Sequence, residues 1–172
     1  MYQIEGLGFI AHPNCASRSI RKALEKRGAI KYGHHHRFDL EVIERCEHVF
    51  CVLRNPFDII LSWYHRTQAG PGCMTFEDWV PYVLHGGEPR HFEGPGKLFY
   101  GFEHCDWWCK FENLQRDFDT VMRSAGLKTV GLNHIGKTKN KPKDYRPSYN
   151  QRTRTLIEHE YAEQLEMGCY VF

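Results

Sequence analysis

A chain of 172 residues, 41% hydrophobic and 26% charged, has enough apolar material to bury a core and too much to stay disordered; one domain is the simplest expectation. A formal net charge of +2 is too small to argue for nucleic acid, and no run approaches the ~18 apolar residues of a membrane span. With no basic stretch leading into an apolar one at Met-Tyr-Gln-Ile-Glu-Gly, a soluble cytoplasmic protein that engages neither membrane nor nucleic acid is expected.

Leu7 to Ala11 reads as a buried strand. It breaks at His12-Pro13, and a helix follows from Ser17 to Arg27, with Ile20 and Leu24 four apart and Gly28 as its stop. Strand, short loop and helix in that order build an anion site: Pro13 bars a continuous helix, and small Cys15, Ala16 and Ser17 let backbone N–H groups approach a phosphate or sulfate. Taken alone, the loop suits an ordinary connection with Ser17 as N-cap better; other stretches favour the anion.

Ala29 to Tyr32 is a second short strand, followed by His34, His35 and His36 on a loop. Asp39 then caps a short helix expected to turn Leu40 and Ile43 inward. Val49 to Leu53 is the continuous apolar run of a strand covered on both faces, and it ends abruptly at Arg54-Asn55-Pro56. Pro56 opens a helix with apolar pairs Ile59/Trp63 and Ile60/Tyr64, making a second strand-turn-helix unit.

Residues 68–73 read as a loop, and Thr75 with Asp78 as a capping box for a helix that Pro81 weakens. The glycine-rich span 86–96 reads as another loop. A short strand over Trp107 to Phe111 and a helix over Leu114 to Ala125 follow, then four lysines between Lys137 and Lys143, and a last helix from Asn150 with Ile157, Tyr161 and Leu165 on one stripe. Seven cysteines with no CxxC spacing suit reduced thiols. Cys105, Cys109 and His104 lack the second ligand pair of a zinc site, so no metal is expected.

Two stretches, Phe9-Ile-Ala-His-Pro-Asn-Cys-Ala-Ser-Arg-Ser-Ile20 and Val52-Leu-Arg-Asn-Pro-Phe-Asp-Ile-Ile-Leu-Ser-Trp-Tyr64, resemble the nucleotide-binding signatures of sulfotransferases that use 3′-phosphoadenosine 5′-phosphosulfate (PAPS). Lys110-Phe-Glu-Asn-Leu114, the lysine loop leading to Asp144-Tyr145-Arg146, and Tyr161 to Tyr170 resemble later landmarks of the carbohydrate-type and bacterial members. The resemblance implies an α/β, P-loop-like parallel sheet flanked by helices. It implies that Asn14, Cys15, Ala16, Ser17, Arg18 and Ser19 cradle the 5′-phosphosulfate, that Arg54 and Ser62 bind the 3′-phosphate, and that Lys137 and Lys139 assist. Arg54 offers the bidentate fork a phosphate wants, the competing use being a salt bridge to Asp58.

The family pattern places a lysine directly after the loop proline, where this chain has Asn14. Arg18, where the family has a small hydroxyl residue, is the candidate replacement for that catalytic charge. A general base is sought in His34, His35 or His36, with His35 best spaced to Asp39-Leu40 and Glu112 as the weaker alternative. The implied activity is sulfuryl transfer from PAPS, leaving PAP, to a hydroxyl on a small molecule or glycan. Residues 89–108 are a candidate acceptor lining, although most of those rings suit a core. A non-catalytic PAPS-binding module is the alternative that Asn14 supports; an ATP-dependent kinase lacks its GxxxxGK[ST] loop.

Overall fold

The computed structural model describes residues 1–33, 39–67, 74–85 and 98–172. The histidines 34–36 and the loops read over 68–73 and 86–96 lie outside the described residues. The chain is mixed α/β and divides into two compact units, Met1–Leu53 with Phe99–Gly136, and Arg54–Leu98 with Lys137–Phe172.

The first unit carries a five-stranded sheet: β1 (Tyr2–Ile4), β2 (Leu7–Phe9), β3 (Ile30–Lys31), β4 (His48–Leu53) and β5 (Trp107–Lys110), in the order β3-β1-β2-β4-β5. β2, β4 and β5 run parallel, but β1 pairs antiparallel with β2 and β3 antiparallel with β1, so the expected parallel sheet is corrected to a mixed one. The cause is a hairpin the sequence reading missed. Glu5 and Gly6 both hold positive φ, 43° and 81°, the two-residue reversal that matches strand twist, and it folds Tyr2–Ile4 back on Leu7–Phe9.

β4 has Val49 through Leu53 buried, as its unbroken apolar run demands. Phe50 stacks on Phe9 with centroids 4.9 Å apart. Helix α1 (Ser17–Glu25) buries Ile20, Ala23 and Leu24 and stops short of Arg27. Helix α2 (Leu40–Ile43) is capped as expected, Asp39 Oδ1 accepting from the Glu41 N–H at 3.0 Å. Its orientation corrects the expectation: Val42 is the buried residue and Leu40 is exposed, because a single turn can bury only one narrow face.

The second unit is helical among the described residues: α3 (Pro56–Thr67), α4 (Phe76–Leu84), α6 (Gln151–Glu160) and α7 (Ala162–Gly168), while α5 (Leu114–Ser124) belongs to the first. Thr75 caps α4 by accepting from the Asp78 N–H at 3.2 Å, and the helix runs through Pro81. Asn150 and Thr153 form a reciprocal capping box on α6. The last helix is broken at Tyr161, which caps both pieces; Ile157 and Tyr161 are buried, and Leu165 is half-buried. Aromatic packing dominates here: Trp63 meets Trp79 edge to face at 5.6 Å, and Phe57 stacks on Tyr145 at 5.7 Å.

No helix among the described residues is long and apolar enough to cross a membrane.

Phe50, fully buried at the middle of β4, should be the most sensitive position of the sheet. Phe50→Ala is expected to lower stability by about 3–5 kcal/mol. A urea-midpoint shift worth less than about 1 kcal/mol would show that the sheet does not rest on this ring.

Candidate functional site

Each unit holds one of the sequence-predicted anion elements. In the first, Asn14, Cys15, Ala16, Ser17, Arg18 and Ser19 lead from β2 into α1. Asn14 and Ala16 both take left-handed conformations, φ 55° and 54°, with Cys15 between them. Such alternation gathers successive backbone N–H groups into a concavity suited to an anion. Ala16, not Ser17, stands at the N-cap of α1 and has no side chain to cap with; its carbonyl accepts from the Ser19 and Ile20 N–H groups at 2.9 and 3.2 Å. Ser17 sits inside the first turn instead. An alanine held left-handed costs on the order of 1–3 kcal/mol, strain of the kind that collects at ligand sites.

The strained loop is held from both ends. Tyr100 donates its hydroxyl to the Ala11 carbonyl at 2.7 Å, and His12 Nε2–H donates back to the Tyr100 carbonyl at 3.0 Å. The acceptor being a carbonyl assigns the proton to Nε2. Burial, then the neighbouring Cys15, pushes the Tyr100 hydroxyl far above its ordinary range, so it stays a donor. On the helix side, Ser19 Oγ accepts from the Ile135 N–H at 3.2 Å. Arg18 is exposed and its guanidinium lies against Gly136, where a Cβ would clash with it.

In the second unit, Asn55 and Pro56 explain why α3 starts where it does. Asn55 Oδ1 accepts from the Phe57 N–H at 3.0 Å, and Pro56 fills the first helical position, where a missing N–H costs nothing. Arg54 directly precedes this cap. Arg54, Asp58, Ser62 and Arg66 then recur every four residues, so they share one stripe. The lysine loop lies along that stripe. Asp58 is bonded by Arg54 through Nε, at 2.9 Å, and Nη2, and by Lys141 through Nζ. Ser62 Oγ and Thr138 Oγ1 are 2.7 Å apart, and Arg66 Nε–H donates to Thr138 Oγ1 at 3.1 Å.

Arg54 bonds Asp58 and Ser62 bonds Thr138, so the competing use of Arg54 as an ion-pair partner of Asp58 is realised. Lys137 and Lys139 are exposed, while the lysine that reaches α3 is Lys141. Arg66, Thr138 and Lys141 were missed. The four-residue spacing from Arg54 could have found Arg66; nothing local distinguishes Lys141 among its loop neighbours. Burial alone would raise the Asp58 carboxyl, but Arg54 and Lys141 outweigh it and hold it below its ordinary value. His65 is shifted down by burial and by Lys141. No group of three or more His, Cys, Asp or Glu side chains able to hold a metal ion occurs among the described residues.

Two outcomes follow. Ala16→Gly relieves the left-handed strain and is expected to stabilise the chain by about 1 kcal/mol in chemical denaturation; no gain, or a loss, would show that the loop is not strained there. Because the Asp58 pKa is lowered on folding, its stabilisation is whole above the ordinary value of 3.8 and is lost as pH falls below it. Denaturation curves from about pH 5 to about pH 2.5 should show this fall in the parent and a shallower one in Asp58→Asn. Equal slopes would remove the assignment.

No family model matches this chain, and no curated protein matches it.

Proposed function

We propose that the chain is a PAPS-dependent sulfotransferase acting on a hydroxyl acceptor. The observation that carries the reading is the α3 stripe. A cation fork at Arg54, a hydroxyl at Ser62 and two further cations, Arg66 and Lys141, gather on the segment whose sequence resembles the 3′-phosphate signature. The left-handed turn at Asn14 to Ala16 supports it independently, as a backbone-lined anion element on the segment that resembles the 5′-phosphosulfate loop. P-loop-like topology belongs to this proposal as well, resting on the parallel trio β2, β4 and β5.

Sulfuryl transfer needs an in-line acceptor oxygen, a base for its proton, and donors on the transferring group and the leaving phosphate. The loop N–H groups and Arg18 are assigned to the transferring group. Arg54, Ser62, Arg66 and Lys141 are assigned to the 3′-phosphate, with Lys137 and Lys139 left to steer the anion from the surface. The base is assigned to the histidine stretch, His35 first. Backbone geometry gives a reason for Asn14: asparagine tolerates φ 55° better than lysine does, so the charge the family places there falls to Arg18, seated on Gly136.

Incubation with sulfur-35-labelled PAPS and a panel of glycans, phenols and small alcohols tests the activity. Labelled product is expected; tight PAPS binding without transfer to any acceptor would favour a binding module, the reading that Asn14 supports. Arg54→Ala should weaken PAP binding by at least about tenfold in calorimetry, and unchanged affinity in a folded variant would remove the phosphate assignment. Arg18→Ala should lower turnover by roughly 10²–10³-fold with PAP affinity less affected. Asn14→Lys should cost about 1 kcal/mol of stability. Undiminished turnover in Arg18→Ala would return the charge to another residue.

A further inference from the structure

The turn that leads from Arg54 into α3 is gripped by two tyrosines far along the chain, and all the residues involved belong to the second unit. Asn55 gives its amide oxygen to the Phe57 N–H as the cap of α3, and donates Nδ2–H to the Tyr145 hydroxyl at 3.0 Å. The Tyr145 ring lies within 4° of parallel to Phe57. Tyr149 donates its hydroxyl to the Phe57 carbonyl at 2.8 Å and meets the same ring edge-on at 5.1 Å. Asn55, Phe57 and Tyr145 are buried, so the amide depends on that hydroxyl where water does not replace it.

Two more residues seat Tyr145. Its hydroxyl, accepting from Asn55, donates in turn to the Val171 carbonyl at 3.2 Å. The Phe172 ring stands 4.9 Å from Phe57, 5.9 Å from Tyr145 and 6.0 Å from Tyr149, and the Arg154 guanidinium lies over it at 4.4 Å. A helix cap needs the Asn55 oxygen and nothing beyond it. The further links, from the Asn55 nitrogen through Tyr145 to Val171, fix the orientation of the amide itself. Arg54 is the next residue along the backbone, and a guanidinium fork engages an anion only in the orientation its backbone presents.

From this geometry we infer that Tyr145, seated by Val171 and Phe172, is a positioning residue for Arg54: it holds the Asn55 amide, and with it the backbone from which the guanidinium is presented. This deepens the proposed function, and its bearing on PAP rests on that reading. Residues 171 and 172 thereby govern phosphate affinity from the surface, where Val171 is 77% exposed. Loosening them lowers affinity although neither is assigned to the phosphate.

The test uses Tyr145→Phe, which keeps the stack on Phe57 and removes one hydroxyl, and Phe172→Ala, which leaves the polar groups of Asn55 and Tyr145 in place. Val83→Ala, a truncation of a buried residue in α4, controls for general loss of stability. Each is compared with the parent by urea denaturation, by PAP calorimetry, and by the nitrogen-15 resonance of the Arg54 Nε–H, assigned through its loss in Arg54→Lys. PAP binding is expected to weaken about five- to tenfold in Tyr145→Phe and Phe172→Ala, with the Arg54 resonance shifted or broadened in both and neither change in Val83→Ala. An unmoved resonance or unchanged PAP affinity in folded Tyr145→Phe overturns the inference, as do equal changes in Val83→Ala. If Tyr145→Phe does not fold, Phe172→Ala decides by the same readouts. A parent that binds no PAP overturns the proposed function, and the Arg54 resonance then decides this inference by itself.

Discussion

The carboxylate of Asp58 holds together the part of the molecule on which a functional reading depends. Without it, two cations, Arg54 and Lys141, would face each other across a poorly hydrated space, and the lysine loop would be driven from α3 rather than drawn to it. With it, residues 138 and 141 lie along the helix. The hydroxyl bridge from Ser62 through Thr138 to Arg66 then extends the same seam by a turn.

The loop between β2 and α1 answers a different constraint. A strand whose residues are buried must pass into a helix within a few residues, and two of those residues, Asn14 and Ala16, turn left-handed to do it. Neither is glycine, so the conformation is held by its surroundings. The reciprocal Tyr100 and His12 bonds hold the entry, and Ile135 on Ser19 holds the exit. Strain maintained in this way keeps the backbone of the turn fixed in place.

Local rules explain why much of the architecture was legible. The apolar run from Val49 to Leu53, the caps at Asp39, Thr75 and Asn150, and the proline at the start of α3 each act within about four residues, and each element formed where they placed it. The local rules failed where two of them competed or where the element was too short to have a period. Ser17 looked like the cap, yet the left-handed Ala16 took the position; Leu40 and Ile43 looked inward, yet Val42 was the buried residue of a one-turn helix.

What the sequence by itself determined is therefore most of the elements, β1 and its hairpin excepted, and the residue types of two candidate anion elements, since periodicity, capping and the Arg54 to Ser62 spacing are encoded in neighbouring residues. Tertiary structure decided the antiparallel edge of the sheet and the choice of Lys141 over Lys137 and Lys139. It also decided the sharing of Asp58, whose bond to Lys141 spans 83 residues of chain. Contacts at that separation depend on where folding delivers a loop, and four similar lysines in a row carry no local mark of which one arrives.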